Sequence, residues 1–147
     1  MIISAEELIN KAVAAKEQAY APYSRFRVGA AVLTEEGRCY TGCNVENASY
    51  GLTCCAERVA IFNAVAGGER RLQAIAIISD SEKYITPCGA CRQVLIEFNP
   101  AMKVIMADRE GKYREATAAE LLPESFKLSN PQGAGPGRAG ATEKVVL

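Results

Sequence analysis

Leu72-Gln-Ala-Ile-Ala-Ile-Ile-Ser79 is the stretch of this sequence that decides the fold. Its apolar residues follow one another instead of alternating with polar ones, which is typical of a strand buried on both faces. Residues 103–107 (Lys-Val-Ile-Met-Ala) show the same pattern. Two such strands indicate a sheet that is covered on both sides.

Helices are predicted before and after the first of these strands. The preceding helix begins near Cys55 and ends at Gly67-Gly68, because glycine is common just beyond a helix C-terminus. The following helix is introduced by Pro87 and is closed by Asn99-Pro100. The second apolar strand comes next, so strands and helices alternate through this part of the chain.

The capping box Ser4-Ala-Glu-Glu7 predicts a first helix that runs to about Tyr20. The remaining predicted elements are hairpin strands over 25–34 and 39–45, an edge strand over 113–116 and a short helix over 118–122. This order predicts an α/β fold with a mixed sheet of about five strands and helices on its faces. We expect one domain over residues 1–128, followed by a Gly/Pro-rich tail over 129–147.

The composition favours a small-molecule partner over a polyanion. The chain has 147 residues, with 17 acidic and 17 basic side chains, whereas proteins that bind nucleic acid normally carry a basic excess. The N-terminal residues lack the basic leader of a signal peptide, and no stretch is long enough to span a membrane. We therefore expect a cytoplasmic protein without nucleic-acid or membrane partners, whose six cysteines bind metal or are buried.

The sequence contains no histidine. This excludes Ser-His and Cys-His nucleophilic machinery as well as catalytic zinc sites that depend on histidine ligands. A metal site in this chain must therefore be built from thiolates, with carboxylates in support.

The strongest chemical signal is Cys55-Ala-Glu57, followed later by Pro87-Cys88-Gly-Ala-Cys91. Zinc with three protein ligands keeps a fourth position open for water, which is the arrangement of a catalytic site. Both cysteine segments lie at predicted helix starts, where free backbone N–H groups favour thiolates. Cys55 and Glu57 can share one site only if the cysteine caps the helix and the glutamate lies in its first turn.

Three thiolates leave a zinc site with a formal charge of minus one, which weakens its ability to acidify water. Arg58 and Arg92 adjoin the motif residues, and either could donate to a thiolate; Arg58 is the preferred candidate. Glu57 is the expected proton shuttle. The alternative is a purely structural zinc site with Cys54 as fourth ligand, although adjacent cysteines seldom reach one metal and Glu57 would then have no task.

The motifs Thr53-Cys-Cys-Ala-Glu-Arg58 and Pro87-Cys-Gly-Ala-Cys-Arg-Gln93 resemble those of the zinc nucleoside deaminases. Segments 21–30 (APYSRFRVGA), 42–47 (GCNVEN) and 120–126 (ELLPESF) resemble the cytidine deaminase family in particular. The resemblance implies that family's three-layer α/β/α fold, one zinc ion per subunit, and hydrolytic deamination of cytidine and 2′-deoxycytidine in pyrimidine salvage.

The resemblance also implies roles for pocket residues. Asn44 and Glu46 would bind the ribose 3′-hydroxyl, and a site built for a hydroxyl rejects ligands that lack it. Phe26 would stack on the pyrimidine, and the Ala56 backbone N–H would meet its O2 atom. Two further aromatic residues are assigned to the pocket: Tyr50, which lines it, and Phe126, which reaches a neighbouring subunit's site.

All-cysteine ligation resembles the small homotetrameric branch of the family, so we expect a homotetramer. Three rival functions stay open on the sequence. The chain could be an enzyme of the blasticidin S deaminase kind, a cytosine editor acting on single strands, or a zinc module without catalysis. The balanced charge and the absence of tryptophan speak against the editor.

Overall fold

A computed structural model describes residues 3–131 of the chain. The predicted tail, residues 129–147, lies outside the described residues from position 132 onward. The helices within the described part are α1 (Ala5–Lys16), α2 (Ala56–Ala66), α3 (Gly89–Phe98) and α4 (Ala118–Leu121), with a 3₁₀ helix at Tyr50–Leu52. The strands are β1 (Val28–Thr34), β2 (Cys39–Cys43), β3 (Leu72–Ser79), β4 (Lys103–Ala107) and β5 (Tyr113–Thr117).

The five strands form one mixed sheet in the order β2-β1-β3-β4-β5. β3 and β4 run parallel, and the other neighbouring strands run antiparallel. The apolar stretch Leu72–Ser79 is thus the central strand, and its residues other than Gln73 are buried. This confirms the predicted strand that is buried on both faces.

Successive residues of β3 point to opposite faces of the sheet and enter two separate cores. Ile75 and Ile77 pack with α2 and α3 on one face, whereas Ala74, Ala76 and Ile78 pack with α1 on the other. The chain therefore has the predicted α/β/α layering. Alanines on the α1 face leave room for the helix to lie close to the sheet.

Three predicted boundaries were wrong by two residues or more; long-range pairing explains the first two, and the backbone conformation of Arg25 explains the third. α1 ends at Lys16 instead of Tyr20, because the Tyr20 backbone pairs with Asn44 and Glu46. β2 ends at Cys43 because Val45 leaves the sheet to form bridges with Tyr20 and Cys54. The start of β1 moves from position 25 to Val28, since Arg25 adopts a left-handed backbone conformation (φ 58°) that no strand accommodates.

In residues 3–131, no helix combines the length and apolar character needed to cross a membrane. α2 and α3 lie on the same face of the sheet, where both pack into one core.

Candidate metal centre and active site

The first turns of α2 and α3 bring three thiols together. Cys55 is the N-cap residue of α2 and Cys88 is the N-cap residue of α3. Cys91 lies in the first turn of α3 and is fully buried. The Cys55 and Cys88 sulfurs are 3.9 Å apart, those of Cys88 and Cys91 are 3.5 Å apart, and all three lie within 4.8 Å of one another.

These distances fit a tetrahedral zinc ion. Zinc–thiolate bonds of about 2.3 Å at tetrahedral angles place the sulfurs about 3.8 Å apart. The triad also supplies three ligands rather than four, and Cys54 does not belong to the cluster found in the described part of the chain. The donor set therefore leaves one position for a non-protein ligand.

Hydrogen bonds within the triad decide which thiol loses its proton first when no metal is bound. The pKa of Cys55 is lowered to about 5, chiefly by the hydrogen bond with Cys91 and also by those with Arg58 and Cys88. The same bond to Cys55, together with burial, raises the pKa of Cys91. Of these two thiols, Cys55 is thus the one that ionises more readily.

Glu57 lies in the first turn of α2, two residues after the capping Cys55, as the shared site requires. Its side chain is buried, with 4% of its surface exposed. Burial is the main cause that raises the pKa of the Glu57 carboxyl, and the charge of Cys55 also raises it. A hydrogen bond from the glutamate's own backbone N–H lowers the pKa and partly opposes this shift. A carboxylate with a raised pKa is a stronger base than an ordinary glutamate, which suits a group that must accept a proton and return it.

The two arginines beside the motif have different partners. Arg58 Nη2 donates to the Cys55 sulfur at 3.5 Å, and this contact raises the pKa of the guanidinium. Arg92 instead donates from Nε to the carbonyl of Pro87 at 2.7 Å and from Nη1 to that of Leu121 at 2.8 Å. Arg58 is therefore placed to offset thiolate charge, whereas Arg92 fixes the backbone that leads into Cys88.

The segment around Val45 carries the polar residues Asn44 and Glu46. Val45 bridges Cys54 through a pair of backbone hydrogen bonds of 2.9 Å, which places its neighbours next to the start of α2. Asn44 is buried; its Oδ1 accepts from the Val28 N–H at 2.9 Å and its Nδ2 donates to the Phe26 carbonyl at 2.8 Å.

Comparison with known proteins decides the family. Residues 3–108 match the model of the cytidine and deoxycytidylate deaminase zinc-binding region. The chain belongs to this deaminase family. The match includes all three cysteines, so the metal of the thiol triad is zinc.

Individual deaminases of the family are similar over most of the chain. A cytidine deaminase of Sporosarcina psychrophila is 51% identical over 122 residues, which are 82% of this chain and 90% of that protein. One from Halalkalibacterium halodurans is 52% identical over 120 residues, 81% of this chain and 91% of its own. The crystal structure of cytidine deaminase from Burkholderia pseudomallei is 48% identical, with a TM-score of 0.80, and covers 84% of this chain and all of that one.

Of the remaining residues expected in a deaminase pocket, the three aromatic ones are open to solvent in the single chain and Ala56 is buried. Phe26 follows the left-handed Arg25 and is 38% exposed. Tyr50, in the 3₁₀ helix, is 78% exposed, and Phe126 is 54% exposed, with its carbonyl accepting from Gln93 Nε2. Ala56 is fully buried as the first residue of α2, where a backbone N–H has no partner inside the helix.

Ser24 lies in the deaminase-like segment 21–30 but was not predicted to be a site residue. In the structure its hydroxyl donates to Glu46 Oε2, and its backbone N–H donates to Glu46 Oε1 at 3.1 Å. A serine in a turn is too common to attract notice, and the carboxylate that it meets lies far along the chain. No local signal in the sequence could have identified this contact.

Proposed function

We propose that this chain catalyses the hydrolytic deamination of cytidine and 2′-deoxycytidine to uridine and 2′-deoxyuridine, with release of ammonia, in pyrimidine salvage. The observation that carries the proposal is the buried Glu57 carboxyl at the start of α2, adjoining the zinc-binding thiols of Cys55, Cys88 and Cys91. We assign this activity to the domain over residues 1–128. Family membership and relatives that are about half identical support the same reaction.

When bound, the zinc ion supplies Lewis-acid activation of the water that attacks C4 of the base. Glu57 takes one proton from that water and delivers it to N3 of the pyrimidine. It then takes the second proton and delivers it to the exocyclic amine, which leaves as ammonia. Both protons of the water are accounted for, and the carboxylate is regenerated. A shuttle of this kind contributes roughly 10² to 10⁴-fold in rate.

The hydrogen-bonding capacity that Asn44 and Glu46 retain suits a sugar hydroxyl. The Asn44 amide uses one N–H and one lone pair on the backbone, so one donor and one acceptor site remain. The Glu46 carboxylate accepts three hydrogen bonds, two from backbone N–H groups and one from Ser24, which leaves one acceptor site. A hydroxyl can accept from the amide and donate to the carboxylate, and we assign this pair to the 3′-hydroxyl.

We assign the base to Phe26 by stacking and to the Ala56 N–H by a hydrogen bond to O2. Tyr50 lines the pocket, and Phe126 reaches into the site of a neighbouring subunit in a homotetramer. The exposure of all three aromatic side chains in the single chain supports a pocket that other subunits complete. The cytoplasm is the compartment that we propose for this assembly.

The test is an ultraviolet assay of cytidine turnover on protein with a measured zinc content. We expect one zinc per subunit, turnover of cytidine and deoxycytidine, and loss of activity with a chelator. Glu57→Gln should keep its zinc and its fold but lose at least about a hundredfold in kcat.

The same assay separates the rival functions. Faster turnover of blasticidin S than of cytidine would favour an antibiotic-inactivating enzyme, and comparable rates on an oligonucleotide would favour a strand editor. Bound zinc without ammonia release from any of these compounds would point to a non-catalytic module. Substantial activity in Glu57→Gln would remove that carboxylate from the mechanism.

A further inference from the structure

The Ser24 hydroxyl joins two segments of the site that are far apart in sequence. It donates to Glu46 Oε2 and accepts from the Phe26 backbone N–H at 3.0 Å. The backbone N–H groups of Tyr23 and Ser24 donate to the other carboxylate oxygen, Oε1, at 2.9 and 3.1 Å. The loop before β1 is therefore wrapped around the carboxylate, with Ser24 as the side chain that contacts it.

Ser24 also contributes to the charge state of Glu46. The hydrogen bond from its hydroxyl is the largest effect that lowers the pKa of this carboxyl. The backbone N–H groups of Ser24 and Tyr23 lower the pKa further, whereas desolvation raises it. An ionised carboxylate is an acceptor only, so it binds a hydroxyl in one defined orientation.

Phe26 has a second attachment that does not involve Ser24. Its carbonyl accepts from Asn44 Nδ2 at 2.8 Å, and β1 begins two residues later at Val28. Loss of the serine hydroxyl would therefore leave the aromatic residue anchored on its C-terminal side. Glu46 Oε2, by contrast, would lose the one side-chain donor that it contacts in the described part of the chain.

We infer that Ser24 is a positioning residue for hydroxyl selectivity: it holds Glu46 so that the single free acceptor site of the carboxylate faces the sugar hydroxyl. This inference rests on the proposed function, because it concerns the substrate of that same site. It predicts that Ser24 contributes more to discrimination between sugars than to binding of the base or to the chemical step.

The test compares Ser24→Thr with Ser24→Val, which have nearly the same shape and differ in the hydroxyl. Each variant is assayed on cytidine and on 3′-deoxycytidine, which lacks the hydroxyl in question. Ser24→Val should raise KM for cytidine about tenfold with kcat within about twofold, the loss expected for a hydrogen bond to a charged group. Turnover of 3′-deoxycytidine should change little, so the ratio of the two kcat/KM values falls. Ser24→Thr should keep the wild-type ratio.

Ser4→Ala is the matched control, since it also removes a serine hydroxyl, in this case the one that caps α1 and accepts from the Glu7 N–H. It should lower the melting temperature without changing the ratio of kcat/KM for cytidine to kcat/KM for 3′-deoxycytidine. Equal losses on both substrates in Ser24→Val leave the ratio unchanged; this result would mean that the serine only supports the loop, and it would overturn the inference. Ser24→Ala provides the same comparison if Val does not fold. Wild-type protein inactive on cytidine would instead overturn the proposed function.

Discussion

At the scale of single residues, the arginines that follow Glu57 and Cys91 carry the same charge but contact different groups. Arg58 follows Glu57 in α2 and donates to the Cys55 sulfur, so its charge acts directly on the thiolate cluster. Arg92 follows Cys91 in α3, but its Nε and Nη1 are engaged with main-chain carbonyls. A thiolate triad carries excess negative charge around zinc, and a donor to sulfur reduces it.

Arg58→Ala should therefore weaken zinc retention more than Arg92→Ala. Loss of an outer contact to a metal ligand typically costs about 10- to 100-fold in metal affinity. Competition with a chelator, followed by elemental analysis of the retained zinc, measures the difference. Faster zinc loss from Arg92→Ala than from Arg58→Ala would reverse the assignment.

At the scale of elements, the position of α2 depends on a close approach to β2 at Gly42. A Cβ atom at this position would lie 2.3 Å from the Ala60 nitrogen and 2.7 Å from the Ala56 carbonyl oxygen. These are backbone atoms of the first turns of α2, which cannot move away like the end of a side chain. The helix that carries Cys55 and Glu57 is thus held where only glycine fits.

Gly42→Ala should lower the free energy of unfolding by about 3 kcal/mol and shift the start of α2, so zinc affinity should fall with it. Gly51→Ala is the matched control, because no atom lies within 4 Å of its added Cβ. Urea unfolding should show less than about 0.5 kcal/mol for the control. Equal effects of the two substitutions would contradict the role of close packing at Gly42.

A second tie between elements is the ion pair of Asp80, just after β3, with Arg27, just before β1. Arg27 donates to both carboxylate oxygens, at 3.0 Å from Nε and 3.1 Å from Nη2, and Lys16 at the end of α1 lies 3.2 Å away. The hydrogen bond from Arg27 is the main cause that lowers the pKa of Asp80. The pair thereby joins both neighbouring strands to α1.

Asp80→Asn should cost about 1 kcal/mol of stability at neutral pH. The pKa is lower in the folded state than in the unfolded state, so the stabilisation is complete above the unfolded value, near pH 4, and is lost as the pH falls further. The stability difference between wild type and variant should accordingly shrink below pH 4 in denaturant titrations. Glu110→Gln, which alters an exposed pair with Lys112 at 3.9 Å, should show no such difference.

At the scale of the whole molecule, the 3₁₀ helix just before the cysteine motif exposes two large apolar side chains. Tyr50 and Leu52 of the 3₁₀ helix are 78% and 69% exposed and immediately precede the cysteine motif. Clustered apolar exposure on a folded domain marks a surface that binds another protein. For this chain of 15.8 kDa, copies of the same chain are the occupants that we propose.

Light scattering should give a mass four times that of the 15.8 kDa chain. Leu52→Asp should dissociate the assembly and reduce turnover, since a buried charge without a partner is costly at an interface. Tyr113→Asp is the control, because Tyr113 is also exposed but lies on β5, at the opposite edge of the sheet from β2. An active monomer would refute the shared pocket.

Much of the fold could be predicted because its signals are local. Consecutive apolar residues marked β3 and β4 at their observed bounds, and the capping box marked the start of α1. The helix starts near Cys55 and after Pro87 were also predicted, and the structure has Cys55 and Cys88 as the N-cap residues. Two of the boundaries that were missed, at Tyr20 and Val45, depend on one segment pairing with another, and such pairing leaves no mark in either segment alone.

The sequence by itself therefore determined the chemistry: thiolates without histidine, a carboxyl beside them, and an α/β framework to hold both. Only the tertiary structure decided which groups meet. The distances between the sulfurs, the different partners of Arg58 and Arg92 and the contact of Ser24 with Glu46 all arise from chain segments that fold onto one another. A residue's type fixes what its side chain can donate or accept, but the partner depends on the packing of the whole domain.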